Sequence, residues 1–188
     1  MKQQKGFSLI EIIIALSIAA LIFLLTSGVY VISQKTYLET DAKAEISQNG
    51  RVIIDRMLRE IRQTPDIITQ MPQTTADPDA LPNEIMFQDG HDATETRYIR
   101  YFLDGTDIKR QLIVYYFPSD PTYYVRPYDT DKDPPHNPPI QQIMEEKIIG
   151  EYADDLEFWG GRLINLNLYL SKNGQSAIIN TAVYGRNL

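Results

Sequence analysis

Cysteine is absent from the 188 residues, which excludes a disulfide framework and a thiolate metal site and leaves the redox compartment open. Histidine occurs only at His91 and His136, both among turn formers, and there is neither a cysteine nucleophile nor a G-x-S-x-G elbow. No local motif therefore supports catalysis, and adjacent carboxylates such as Asp154 and Asp155 are what an acidic surface produces by chance. Positive charge is also scarce. The net charge of −7 becomes more negative once the first six residues, with Lys2 and Lys5, are set aside. That balance argues against a surface that tracks nucleic-acid phosphates.

What is present is an apolar run. Ile12 to Ile32 carries no charge and, as a helix, spans about 31 Å, the thickness of a bilayer core. A secretory signal peptide has a shorter apolar region of about 7 to 15 residues ending at an A-x-A-like site, and none follows Ile32. Lys2 and Lys5 precede the span while Lys35, Glu39, Asp41, Lys43 and Glu45 mix signs beyond it, so the positive-inside rule places the N-terminus in the cytoplasm and the bulk of the chain outside. One residue does not fit a plain anchor. Glu11 puts a carboxylate at the edge of the run, where desolvation is costly.

The stretch Lys5-Gly6-Phe7-Ser8-Leu9-Ile10-Glu11 resembles the processing motif of type IV prepilin-like proteins, the pilins, minor pilins and pseudopilins. The resemblance implies that a membrane aspartyl prepilin peptidase cuts after Gly6, at the end of a basic leader that includes Lys5, and methylates the new amino terminus at Phe7. It also implies that Glu11, one helical turn from that amine, guides the subunit onto a growing filament by meeting the amine of the subunit added before it. A charge pair in an apolar setting suits that role, since an unpaired buried charge is costly. A snorkelling carboxylate with no role is the competing reading. Gly28 lies where family members loosen the helix in the filament, and a glycine there lowers helix propensity by about 1 kcal/mol relative to alanine. Close helix packing explains it as well.

From Gln34 to Arg62 no proline interrupts the chain, and Leu38, Ala42, Ile46, Ile53, Met57 and Ile61, with Ile54 and Leu58 beside them, form one apolar stripe. Lys43, Arg51, Asp55, Arg59 and Arg62 fill the other faces as a solvated or intersubunit surface. Pro65 disfavours helix at Thr64, so a continuous helix from Phe7 to Gln63 is expected, roughly 85 Å long. Such length suits a filament subunit.

After Pro65, residues 64–83 read as a connection, and Glu84–Gln88, Thr96–Leu103 and Gln111–Phe117 as strands with a turn at Asp104-Gly105. A final hairpin runs from Arg162–Leu170, with Ile164, Leu166, Leu168 and Leu170 on one face, through Asn173-Gly174 to Gln175–Tyr184. The plan is a leader at 1–6, a membrane or filament-core half-helix at 7–33, an amphipathic half at 34–64 and a β-rich head at 65–188. The fold class is α+β, a long N-terminal helix packed on an antiparallel β-sheet.

The proline-rich stretch 119–139 reads as a structureless loop. Its Asp129, Asp131 and Asp133 alternate like the start of a calcium loop, but Pro134 and Ile140 stand where an EF-hand needs glycine and glutamate, so no cofactor is expected and calcium is a weak alternative. Tyr123, Tyr124 and Tyr128 suit either a partner surface or a clasp onto the head. The ending Tyr184-Gly185-Arg186-Asn187-Leu188 resembles J-type minor pseudopilins and W-type minor pilins, which implies a tip-priming subunit of a type IV pilus or type II secretion pseudopilus; retained Glu11 departs from the K-type tip subunit. A major subunit, or a membrane-anchored binding domain that never polymerises, is the alternative. The implied partners are the prepilin peptidase, other pilin or pseudopilin subunits and an inner-membrane assembly platform, with no nucleic acid. The implied location is the cytoplasmic membrane and then a filament in the periplasm or at the cell surface.

Overall fold

A computed structural model describes residues 7–76, 81–91, 95–132 and 135–185. The chain divides into two compact units, Met1–Ala42 and Lys43–Leu188. Helix α1, Leu9–Gln63, contributes to both. It is the one helix among the described residues long and apolar enough to cross a membrane.

In the first unit the described residues up to Asp41 are exposed, including Leu38, which its spacing had placed on the buried stripe. The hydroxyls within the apolar run are turned onto the helix itself: Ser17 Oγ donates to the Ile13 carbonyl and Thr26 Oγ1 to that of Ile22, each at 2.8 Å. This back-bonding hides polar atoms that hydrocarbon would not solvate.

The second unit is built on the rest of α1 and two antiparallel sheets where a single sheet was expected. The first sheet holds β1 (Glu84–Gln88), β2 (Tyr98–Asp104), β3 (Asp107–Phe117), β4 (Asp120–Tyr124) and β5 (Ile140–Gly150). Its order is β1-β2-β3, with β5 on the free side of β3 and β4 pairing the end of β3. The second sheet is the meander β6 (Ala153–Gly160), β7 (Leu163–Lys172), β8 (Gln175–Tyr184).

The helix stripe joins both sheets in one core. Ile46, Ile53, Ile54, Met57 and Ile61 pack with Ile85, Phe87, Ile99 and Tyr101 of the first sheet and with Leu156, Phe158, Ile164, Leu166, Leu168 and Leu170 of the second. Each fully buried aliphatic contributes about 1.5–3 kcal/mol. A smaller cluster of Tyr98, Ile113, Tyr115 and Val125 lies apart from this core. The connection 64–72 lines that side of the sheet, with Ile68 packed on the cluster and its N–H donating to the Met86 carbonyl at 2.8 Å. Both faces of β2 are thereby buried at its start, where the neighbours Tyr98 and Ile99, on opposite faces, are both fully covered.

Helix α1 stops where Pro65 requires it. Buried Thr64 then donates its hydroxyl toward the Asp66 and Gln88 carbonyls, both at 2.8 Å, fastening the helix end to β1. The Asn173-Gly174 turn has positive φ at both residues, 51° and 77°, as a two-residue hairpin demands. Stretch 119–139 is not structureless, because β4 lies within it and the Val125 N–H donates to the Tyr115 carbonyl at 2.8 Å.

Candidate functional site

The helix begins with a reciprocal cap. The Ser8 N–H and the Ser8 hydroxyl donate to Glu11 Oε2 at 2.8 and 3.0 Å, and the Glu11 N–H donates back to Ser8 Oγ at 3.4 Å. This is a capping box: a serine before the first turn and a glutamate three residues on satisfy each other's orphan donors. The Ile12 N–H to the Ser8 carbonyl, at 3.3 Å, opens the helical ladder. Ser8-x-x-Glu11 is a visible sequence signal, and sequence reasoning directed entirely at the charge passed over Ser8.

Glu11 consequently has a defined place. Its carboxylate is drawn over the N-terminal end of the helix, where exposed N–H groups attract anions. Phe7, immediately before the cap, is exposed. Cutting before Phe7 would set a cationic amine one residue from the N–H that Glu11 already holds. Lys5 and Gly6 lie outside the described residues. The helix runs unbroken through Gly28, and a Cβ there would meet nothing within 4 Å.

In the head, two of the alternating aspartates have partners within the same loop. Asp129 Oδ2 accepts from the Arg126 N–H at 2.9 Å and Asp131 Oδ2 from the Ser119 hydroxyl at 3.0 Å, while Asp133 lies outside the described residues. Among the described residues no group of three His, Cys, Asp or Glu side chains could hold a metal ion. Tyr123 and Tyr128 are exposed, and the Tyr128 hydroxyl donates to Asp66 at 3.4 Å.

A polar cluster missed in the sequence lies inside the head. Glu60 Oε2 accepts from the Tyr101 hydroxyl at 2.6 Å and from Arg110 Nε at 3.0 Å, and Arg56 lies 3.7 Å from the other carboxylate oxygen. Burial, then the Glu60 charge, pushes the Tyr101 phenol well above its ordinary range. The cluster fixes the helix to β2 and β3. A helix acid at one site and an arginine fifty residues on give no local signal of their pairing.

The helix start is also where similarity to known proteins is found. Residues 1–27 match the family model of the prokaryotic N-terminal methylation motif. The match takes in Gly6, Phe7, Ser8 and Glu11 and supports a type IV prepilin-like protein. No curated protein and no solved structure matches the chain. The methylation motif therefore speaks for the capped helix start and the apolar run, and the head must be read from its own surface.

Proposed function

We propose that the chain is a prepilin-like structural subunit, not an enzyme, processed after Gly6 and assembled through its apolar helix into a type IV pilus or type II secretion pseudopilus. The observation that carries this reading is the methylation motif lying on a capped helix whose next 21 residues, Ile12 to Ile32, bear no charge. The motif implies a prepilin peptidase and other pilin subunits as partners, and the apolar helix implies a membrane-held subunit before assembly. An inner-membrane platform, a cytoplasmic N-terminus and an external head follow from the same reading.

The head has surface to spare for neighbours. Strand β5 pairs only with β3 among the described strands and leaves Ile140, Ile143, Met144 and Ile148 exposed. Exposed apolar edge strands are normally blunted or covered. Within a filament, the tip-priming position follows from the resemblance of the final strands to minor subunits, although Arg186, Asn187 and Leu188 lie outside the described residues. The major-subunit position follows if the head binds its own kind.

The test is mass spectrometry of the N-terminal peptide from cells with and without a prepilin peptidase. A chain starting at N-methylated Phe7 only when the peptidase is present is the expected result. An intact Met1–Gly6 leader beside a working peptidase would leave a membrane-anchored binding domain instead.

A further inference from the structure

The second sheet has an outer face unlike the rest of the head. Cross-strand registry sets Glu157 beside Asn167 and Asn180, Asp155 beside Tyr169, and Trp159 beside Asn165. The opposite face of the same strands is the buried row from Leu156 to Leu170, so these side chains point away from the core. None of the outward positions of β6, β7 or β8 is a lysine or arginine, and among the described residues Asp155 and Glu157 have no ion pair. Glu157 is nevertheless held in place. Its Oε2 accepts from Asn167 Nδ2 at 2.9 Å and from the Tyr169 hydroxyl at 3.2 Å, which aims a fixed carboxylate outward.

On the exposed side of α1 the complement is found. Arg51, Asp55, Arg59 and Arg62 recur at spacings of four, four and three, forming one solvent-facing stripe. Its arginines have no ion pair among the described residues, whereas Arg56 and Arg110 share Glu60. Arg59 and Arg62 are separated by about 5 Å along the helix. Asp155 and Glu157 are about 7 Å apart along the strand. Flexible arginines span that difference, grip carboxylates through two N–H groups and stack on rings such as Trp159 and Tyr169.

We propose that the outer face of the β6-β7-β8 sheet receives the Arg51–Arg62 helix stripe of a second copy of this chain. Within one chain Arg59 and Arg62 border Tyr184 at the end of β8, while Asp155 and Glu157 stand on β6, two strands away, and no ion pair joins them among the described residues. One chain therefore does not satisfy itself. A contact between unlike surfaces repeats from copy to copy and builds an open filament when its rotation does not close a ring. The inference rests on the filament reading and deepens it by naming a head contact and requiring adjacent copies.

The absence of cysteine makes the test direct. Full-length chains carrying Asp55→Cys and full-length chains carrying Asn180→Cys are co-expressed in the native host, with its peptidase, assembly platform and other subunits, and filaments are sheared and oxidised with a copper-phenanthroline oxidant. The expected product is a disulfide-linked dimer of the two unlike chains. Adding Glu157→Arg to the Asn180→Cys chain should lower its yield at least tenfold, and adding Arg59→Glu to the Asp55→Cys chain should restore it, which a merely misfolded variant would not allow. Filaments without the mixed dimer, or with Asn180→Cys joined only to a different subunit, overturn the inference while leaving the filament reading intact. If, in that host, the chain is processed at Phe7 yet enters no filament, both fall.

Discussion

Replacing Glu60 by leucine should destabilise the head by about 3 kcal/mol, and the sign of the compensating change is the informative part. The carboxylate and its partner Arg110 are only 13% and 11% exposed, so removing the anion strands a nearly buried guanidinium and takes the acceptor from the Tyr101 hydroxyl. Breaking a buried pair from one side costs about 3–5 kcal/mol. The Tyr101 hydrogen bond, made to a charged group, is worth about 1.5–3 kcal/mol, and these terms are not additive. The residual exposure favours the lower end, and Arg56, at 40% exposure, can return to water at little cost. The triple variant Glu60→Leu, Arg110→Met, Tyr101→Phe removes every stranded group, and replacement of a buried pair by apolar residues is often neutral or better. It should fall within about 1 kcal/mol of the parent. Urea unfolding of the full chain in detergent, followed by emission of Trp159, the single tryptophan, reads this out. A single variant that costs less than about 0.5 kcal/mol, or a triple variant as unstable as the single, would refute the account.

At the helix start, Ser8→Ala removes the cap and keeps the charge, whereas Glu11→Gln keeps a capping-box partner and removes the charge. Sheared-filament yield should fall severely in Glu11→Gln and only modestly in Ser8→Ala; equal losses would make Glu11 a cap and nothing more. A Cβ at Gly90 would lie 1.8 Å from the Gln63 carbonyl oxygen, so Gly90→Ala should cost about 2 kcal/mol of head stability by the same urea assay, and an unchanged midpoint would contradict that close approach. Burial raises the phenol pKa of Tyr98, Tyr101 and Tyr115 above the usual tyrosine value. A raised folded-state pKa contributes stability that is complete below the unfolded value of about 10 and is lost as pH rises past it. The urea midpoint should therefore fall as pH rises from about 10 to about 11.5, and a flat profile would argue against three buried phenols.

How much the residues disclosed in advance depended on what each element buries. Strand β7 alternates cleanly because Ile164, Leu166, Leu168 and Leu170 meet the core while Asn165 and Asn167 face outward, and its hairpin partner Gln175–Tyr184 was placed to the residue. Strand β5 carries no such signal, for the opposite reason. Its segment IQQIMEEKIIG is exposed along nearly its whole length, so no face imposes a two-residue period, and two register shifts against β3 break what alternation there is. Strand β4 was hidden by Pro121, a residue that sheets accept at edges. The split into two sheets was not readable either, since it depends on how the β5–β6 turn at Tyr152, with φ of 66°, redirects the chain.

The segment that matches the methylation motif obeys a different logic. A processing motif, a capping box and a long uncharged run each consist of residues close together in sequence, so Gly6, Phe7, Ser8, Glu11 and Ile12 to Ile32 can be read locally. The head contacts act across distance: Glu60 meets Arg110, and Asp155 and Glu157 stand on β6 about a hundred residues beyond Arg59. Such pairs become visible only once the chain is folded. A face whose fixed carboxylate has no cation of its own calls for a second chain, and the exposed arginines of α1 are the complement present in this one.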